Sequence, residues 1–175
     1  MEYTDEPLNT HAPETNDIDE QKIISLNKFI FLSIISFGAY EIWWIYKAWK
    51  FYQQKENLDI MPAARALFSI FFLNRLFNKI LDFAKERGYK ENYSSVLLFI
   101  GFIFFNLLSE LPDPFGMIAL VSFIFLIPPF KALNYAKQNS TDFVVVEQTS
   151  FNGQQIGLIV VGIIFWILIL AGVTI

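Results

Sequence analysis

Few side chains in this sequence could do chemistry, and the sharpest candidate is Glu41. It interrupts an otherwise apolar run over residues 29–46, FIFLSIISFGAYEIWWIY, about 9 Å along a helix from Lys47. A carboxyl group at membrane depth is costly and is a functional candidate by default. It could bind a proton or a cation, which would suit transport. It could instead pair with Arg65 or Arg75 and pin a second helix to its own, and the sequence favours that structural role. Arg65 opens a strongly apolar stretch. Its guanidinium could grip a lipid phosphate or serve as the partner of Glu41, and the partner role is favoured. Asn106, Ser33, Ser36 and Ser122 lie in apolar runs and are expected to bond to neighbouring helices. Glu110 and Asp113 flank a tight turn, where helix capping fits better than a catalytic pair.

The absences are as informative. The chain has no Cys and a single His, His11, in the polar N-terminal segment. Disulfides, thiolate metal sites and Cys nucleophiles are therefore excluded, and no imidazole is placed to act as base or ligand within the apolar body. The sequence carries no phosphate-loop, dinucleotide or zinc motif. Neither enzyme activity nor a cofactor is expected. Nucleic acid is not expected as a partner either, because the Lys and Arg between positions 47 and 90 alternate with Glu56, Asp59, Asp82, Glu86 and Glu91.

The elements that must position these residues are apolar helices. Of 175 residues, 54% are hydrophobic, 17% are charged and 20 are Phe. A soluble domain is about 25% charged, and here the apolar residues are gathered in blocks. The pattern predicts an all-α polytopic membrane protein with four transmembrane helices, at about 29–46, 94–109, 115–133 and 156–175. A cytoplasmic, interfacial amphipathic helix is expected over 62–87, started by Pro62 and stopped at Gly88. Its apolar face would be Ala66, Ile70, Leu73, Phe77, Leu81 and Ala84. Were this helix to cross, Arg75 and Lys79 would sit at membrane depth. Trp43, Trp44, Tyr46 and Trp49 would form an aromatic interface belt at the end of the first span. Pro128 and Pro129 should kink or end the third. An extended piece is expected within residues 142–148. Residues 1–22 read as a disordered acidic tail, without the basic start of a signal peptide, and 23–175 as a single membrane domain.

Charge sets the expected orientation. Seven of the 17 acids fall in residues 1–21, which hold no Lys or Arg, so the rest of the chain is net basic. The connection between the first two spans holds nine Lys and Arg, the next connection none, and Lys131 and Lys137 mark the exit of the third span. By the positive-inside rule the first and third connections face the cytoplasm, with both termini outside.

Four stretches carry a resemblance: Phe37-Gly38-Ala39-Tyr40-Glu41-Ile42-Trp43-Trp44-Ile45-Tyr46-Lys47-Ala48-Trp49-Lys50, residues 62–68 (PAARALF), residues 111–115 (LPDPF) and residues 162–166 (GIIFW). Their order resembles a family of small, uncharacterised bacterial inner-membrane proteins with an FGxYxxWWxYKxWK and LPDP pattern, over about residues 30–172. The resemblance implies a compartment, the bacterial inner membrane, and a multi-pass topology. It carries no catalytic residue across. The expectation is a non-enzymatic accessory or interaction protein whose partners are the lipid bilayer and other membrane proteins or copies of itself. The alternative is a small oligomeric transporter or channel that uses Glu41.

Overall fold

A computed structural model describes residues 20–111 and 115–172. The expected Asp113 cap lies outside them. The chain is built from helices, as its composition requires: α1 (Leu26–Ile35), α2 (Ala39–Lys55), α3 (Pro62–Leu67), α4 (Ser69–Glu86), α5 (Ser95–Leu107), α6 (Ile127–Gln138) and α7 (Gly153–Leu170). Two short strands, β1 (Glu20–Ile23) and β2 (Val144–Glu147), pair in parallel with Glu20 opposite Val144. Strand β2 falls inside the extended piece expected there. Strand β1 shows that the acidic segment does not stay irregular as far as residue 22.

The main departure from expectation is at the first span. Residues 29–46 do not form one helix. α1 stops at Ser36, and the Phe37 and Gly38 backbones both turn left-handed, at φ 53° and 84°. Gly38 N–H then closes on the Ser33 carbonyl at 3.0 Å and Phe37 N–H on that of Ile34 at 3.3 Å, the paired bonds of a left-handed helix stop. Gly38 meets this geometry without steric cost. Phe37 meets it with its ring stacked on Trp166, centroids 4.8 Å apart. α2 then runs back along α1. Phe29 meets Tyr40 at 6.1 Å and Trp44 at 5.9 Å between ring centroids, whereas one straight helix would separate Phe29 from Trp44 by about 22 Å. Residues 26–55 are therefore a helical hairpin. Hydropathy is continuous through the turn, so a sequence window runs both arms together.

Among the described residues, two helices are long and apolar enough to cross a bilayer, Met117–Gln138 and Gly153–Leu170. α5 with its 3-10 extension forms a shorter apolar rod, Ser95–Glu110. In the third expected span, residues Phe115–Leu126 wind as a 3-10 helix that passes directly into α6. Pro128 and Pro129 lie in the first turn of α6. Their missing N–H groups cost little there, so they mark a change of winding and do not end the rod. The expected interfacial helix is two helices, broken at Phe68 (ψ 42°). The break turns Ile70 outward, and the buried stripe of α4 is Leu73, Leu76, Phe77, Ile80, Phe83 and Ala84. This stripe packs on α6 and α5. Tyr93 Oη donates to the Phe77 carbonyl at 2.8 Å and Tyr52 Oη to that of Lys79 at 3.0 Å.

Close backbone approach holds the apolar half together. A Cβ on Gly162 of α7 would lie 2.1 Å from the Ile35 carbonyl oxygen, so α7 meets the tip of the hairpin through a glycine. The strands sit at the opposite end. Gln148 N–H donates to Ile23 O at 2.8 Å, and Asn134 Nδ2 to Ile24 O at 2.9 Å. Residues 20–24 and the segment joining α6 to α7 thus share one end of the bundle. The charge pattern of the sequence predicts opposite sides for them.

Candidate functional site

Glu41 is the third residue of α2, and α2 begins at the hairpin turn. The Ser36 hydroxyl accepts the Tyr40 N–H at 3.0 Å and donates to Ser33 O at 3.4 Å, which ties the first turn of α2 to the end of α1. Glu41 is 1% exposed. Ser122 Oγ, from the 3-10 segment, donates to Glu41 Oε2 at 3.0 Å and faces Oε1 at 3.3 Å. The first turn of a helix also favours a carboxylate, because its free N–H groups point that way. The Ser33 hydroxyl is buried nearby in sequence without a hydrogen-bond partner. A buried carboxyl beside a serine hydroxyl could exchange a proton or hold one small cation. Among the described residues, no imidazole, thiol or second acid is hydrogen-bonded to it.

The expected ion pair is absent among the described residues. Arg65 stacks over Trp49, 4.5 Å from the ring centroid, and over Phe72 at 5.1 Å. Trp49 lies eight residues after Glu41 on α2, about 12 Å along the helix. No described contact joins Arg75 to Glu41 either. Burial first, and then the charge of Arg75, pulls the Arg65 guanidinium below its ordinary value. Arg65 therefore fastens α3 to α2 by cation–π stacking. The aromatic belt is also divided. Trp44 and Trp49 are buried in the core, while Trp43 and Tyr46 are half-buried and pack on each other at 5.3 Å. Asn106 bonds within its own helix, to Phe102 O at 2.9 Å.

The structure adds a feature that the sequence reading missed. A cavity of about 590 Å³ lies at the strand end, walled by α2, α6, β1 and the start of α7. Its floor holds Lys137, which is buried, donates to Gln21 Oε1 at 3.0 Å and lies over the Phe51 ring at 4.4 Å. Lys22, Lys47 and Lys50 line it too, against the single described carboxylate of Glu20, which pairs with Lys22 at 3.5 Å. On its α7 side Gln155 Nε2 donates to Tyr40 Oη at 3.2 Å. One signal for this site was present in the sequence: Phe130, Leu133 and Lys137 fall at i, i+3 and i+7, so Lys137 shares the buried stripe of α6. The other walls come from β1 and α2, more than 80 positions before Lys137, and from residues 148–155 beyond it, which no local pattern brings together. The chain matches no protein-family model, no curated protein and no solved structure.

Proposed function

We propose that this chain is a multi-pass protein of the bacterial inner membrane that works without catalysis, as an accessory or interaction protein. In this reading α5, the rod 117–138 and α7 cross the bilayer. The α1–α2 hairpin enters from the cytoplasmic side and returns to it, and the strand end with its lysines is cytoplasmic. This replaces four crossings by three and moves the N-terminal strand to the cytoplasmic side, while α7 still ends outside.

The observation that carries the reading is α7. It has no charged residue, and only 11% of it is buried inside the chain. Outward apolar residues continue on α5 (Leu97, Ile100 and Phe104) and on the α3–α4 junction, where Phe71 is 75% exposed. Soluble monomers rarely leave apolar area contiguous on this scale, and lipid accounts for it. The α3–α4 junction would then dip into the cytoplasmic leaflet. Crosslinking in native membranes, followed by purification and mass spectrometry, tests the function. A stoichiometric partner protein is the expected product. Recovery of only this chain, as an oligomer with bound lipid, would overturn the accessory role. Release of the chain by alkaline carbonate would sink the membrane reading itself.

One observation favours transport instead: a buried carboxyl at the tip of a hairpin whose two arms end on the same side. Under that reading Glu41→Gln abolishes proton- or cation-driven flux in proteoliposomes. Under the accessory reading no flux depends on Glu41.

A further inference from the structure

The cavity at the strand end presents a problem of charge. Lys137 is 8% exposed. Its ammonium is held by a neutral amide oxygen and an aromatic face, and no described carboxylate pairs with it. Burying an ammonium without an anion is expensive. Lys47 and Lys50 line the same space, as does Lys22, which is paired with Glu20. An anion seated against Lys137 would offset that cost. Neutral donors are present as well, in Asn134 and Gln148 on the wall.

The shape adds a second constraint. A smaller groove of about 240 Å³ adjoins the cavity and shares Tyr40, Trp43 and Gln155 with it. Its other walls are Ala39 and Leu158, with Gln154, between the start of α2 and the flank of α7. A charged chamber therefore adjoins a narrow, largely apolar slot along the flank of α7.

We propose that this cavity binds a phosphate-bearing anion, with Lys137 as its innermost contact and Lys47 and Lys50 closing around it. The phosphate belongs either to an anionic lipid headgroup, whose acyl chain lies in the slot, or to a soluble phosphate ester. Only the lipid source rests on the membrane reading above.

The test is thermal unfolding and native mass spectrometry of the full chain in a neutral detergent. The probes are phosphatidylglycerol, phosphatidylcholine and inorganic phosphate, each titrated separately. Phosphatidylglycerol that binds and raises Tm where phosphatidylcholine does not identifies a lipid headgroup. A rise with inorganic phosphate identifies a soluble ligand. Lys137→Met should unfold at a higher temperature than the wild type without ligand, because it removes the uncompensated charge, and should lose at least tenfold in affinity for the active probe. Lys131→Met, outside the cavity, should retain wild-type binding. Lys50→Gln, at a half-buried wall position, should fold normally and weaken binding several-fold.

Three results overturn the site. One is no response to either phosphate probe, the outcome expected if the acids of residues 1–19 neutralise the lysines instead. Another is binding that Lys137→Met and Lys50→Gln leave unchanged, which marks annular lipid. The third is a Lys137→Met protein that is less stable yet binds normally, which makes Lys137 an anchor for Gln21 only. Carbonate extraction of the same wild-type membranes reads the membrane assignment independently, so the two failures are told apart.

Discussion

Ser122 and Glu41 come together from positions 81 residues apart, and their contact is the only side-chain hydrogen bond described for that carboxyl group. Removing the serine leaves a buried acceptor dependent on the helix N-terminus alone. An unsatisfied buried polar group costs about 1–3 kcal/mol. Ser122→Ala should therefore lower stability by roughly that amount, measured by thermal unfolding in detergent. Glu41→Gln keeps a carbonyl acceptor for the Ser122 hydroxyl and should cost less. In the double variant the serine change should cost less than it does alone, since residues sharing a hydrogen bond are not additive. Additive losses would show that the contact carries no energy. The sequence made Glu41 visible as an acid in an apolar run, but it suggested a cationic partner. Arg65 and Arg75 are close in sequence and carry the right charge. What decides the pairing is the chain reversal at residues 36–38, which leaves Glu41 at the buried tip and sends the basic connection to the other end.

At the scale of elements, the hairpin is the feature whose consequences differ most from a plain span. If residues 26–55 reverse at Gly38, positions before α1 and after α2 lie on one side of the bilayer. If residues 29–46 cross, those positions lie on opposite sides. The absence of native Cys makes the experiment clean. Single cysteines at Lys22, Asn57 and Glu110, all exposed, should react with an impermeant maleimide in oriented vesicles. Lys22→Cys and Asn57→Cys should label from the same side and Glu110→Cys from the other. Labelling of Lys22→Cys together with Glu110→Cys would restore the crossing helix. α7 was legible because twenty uncharged residues have one reading, and the rod 117–138 was legible as an apolar block, although its prolines, which suggest a kink or an end, fall where a helix can begin. The turn was not, since Ser36, Phe37 and Gly38 barely lower local hydropathy. A Gly two residues after a Ser is a weak stop signal that an apolar context outweighs.

For the whole molecule, the division is between an apolar end fixed by close helix contact and a polar end fixed by a few side chains. Two paired strands of four residues are marginal alone, so the polar end needs staples. Lys28 Nζ donates to Gln148 O at 2.7 Å and also to Thr149 O. Asn134 Nδ2 holds Ile24 O. These bonds tie the N-terminal strand to α6 and to the entry of α7, and they form the rim of the lysine cavity. Hydrogen exchange by mass spectrometry should find the amides of 20–23 and 144–147 protected in the wild type. In Lys28→Met combined with Asn134→Ala, exchange there should rise at least tenfold. Protection in α5 and α7 should be unchanged, because the Gly162 contact with Ile35 does not involve this end. Strands that exchange freely in the wild type would mean that the polar end is open and that the cavity lacks a fixed wall. Loss of protection in α7 along with the strands would instead show one cooperative unit, with the hairpin and the strand end opening together.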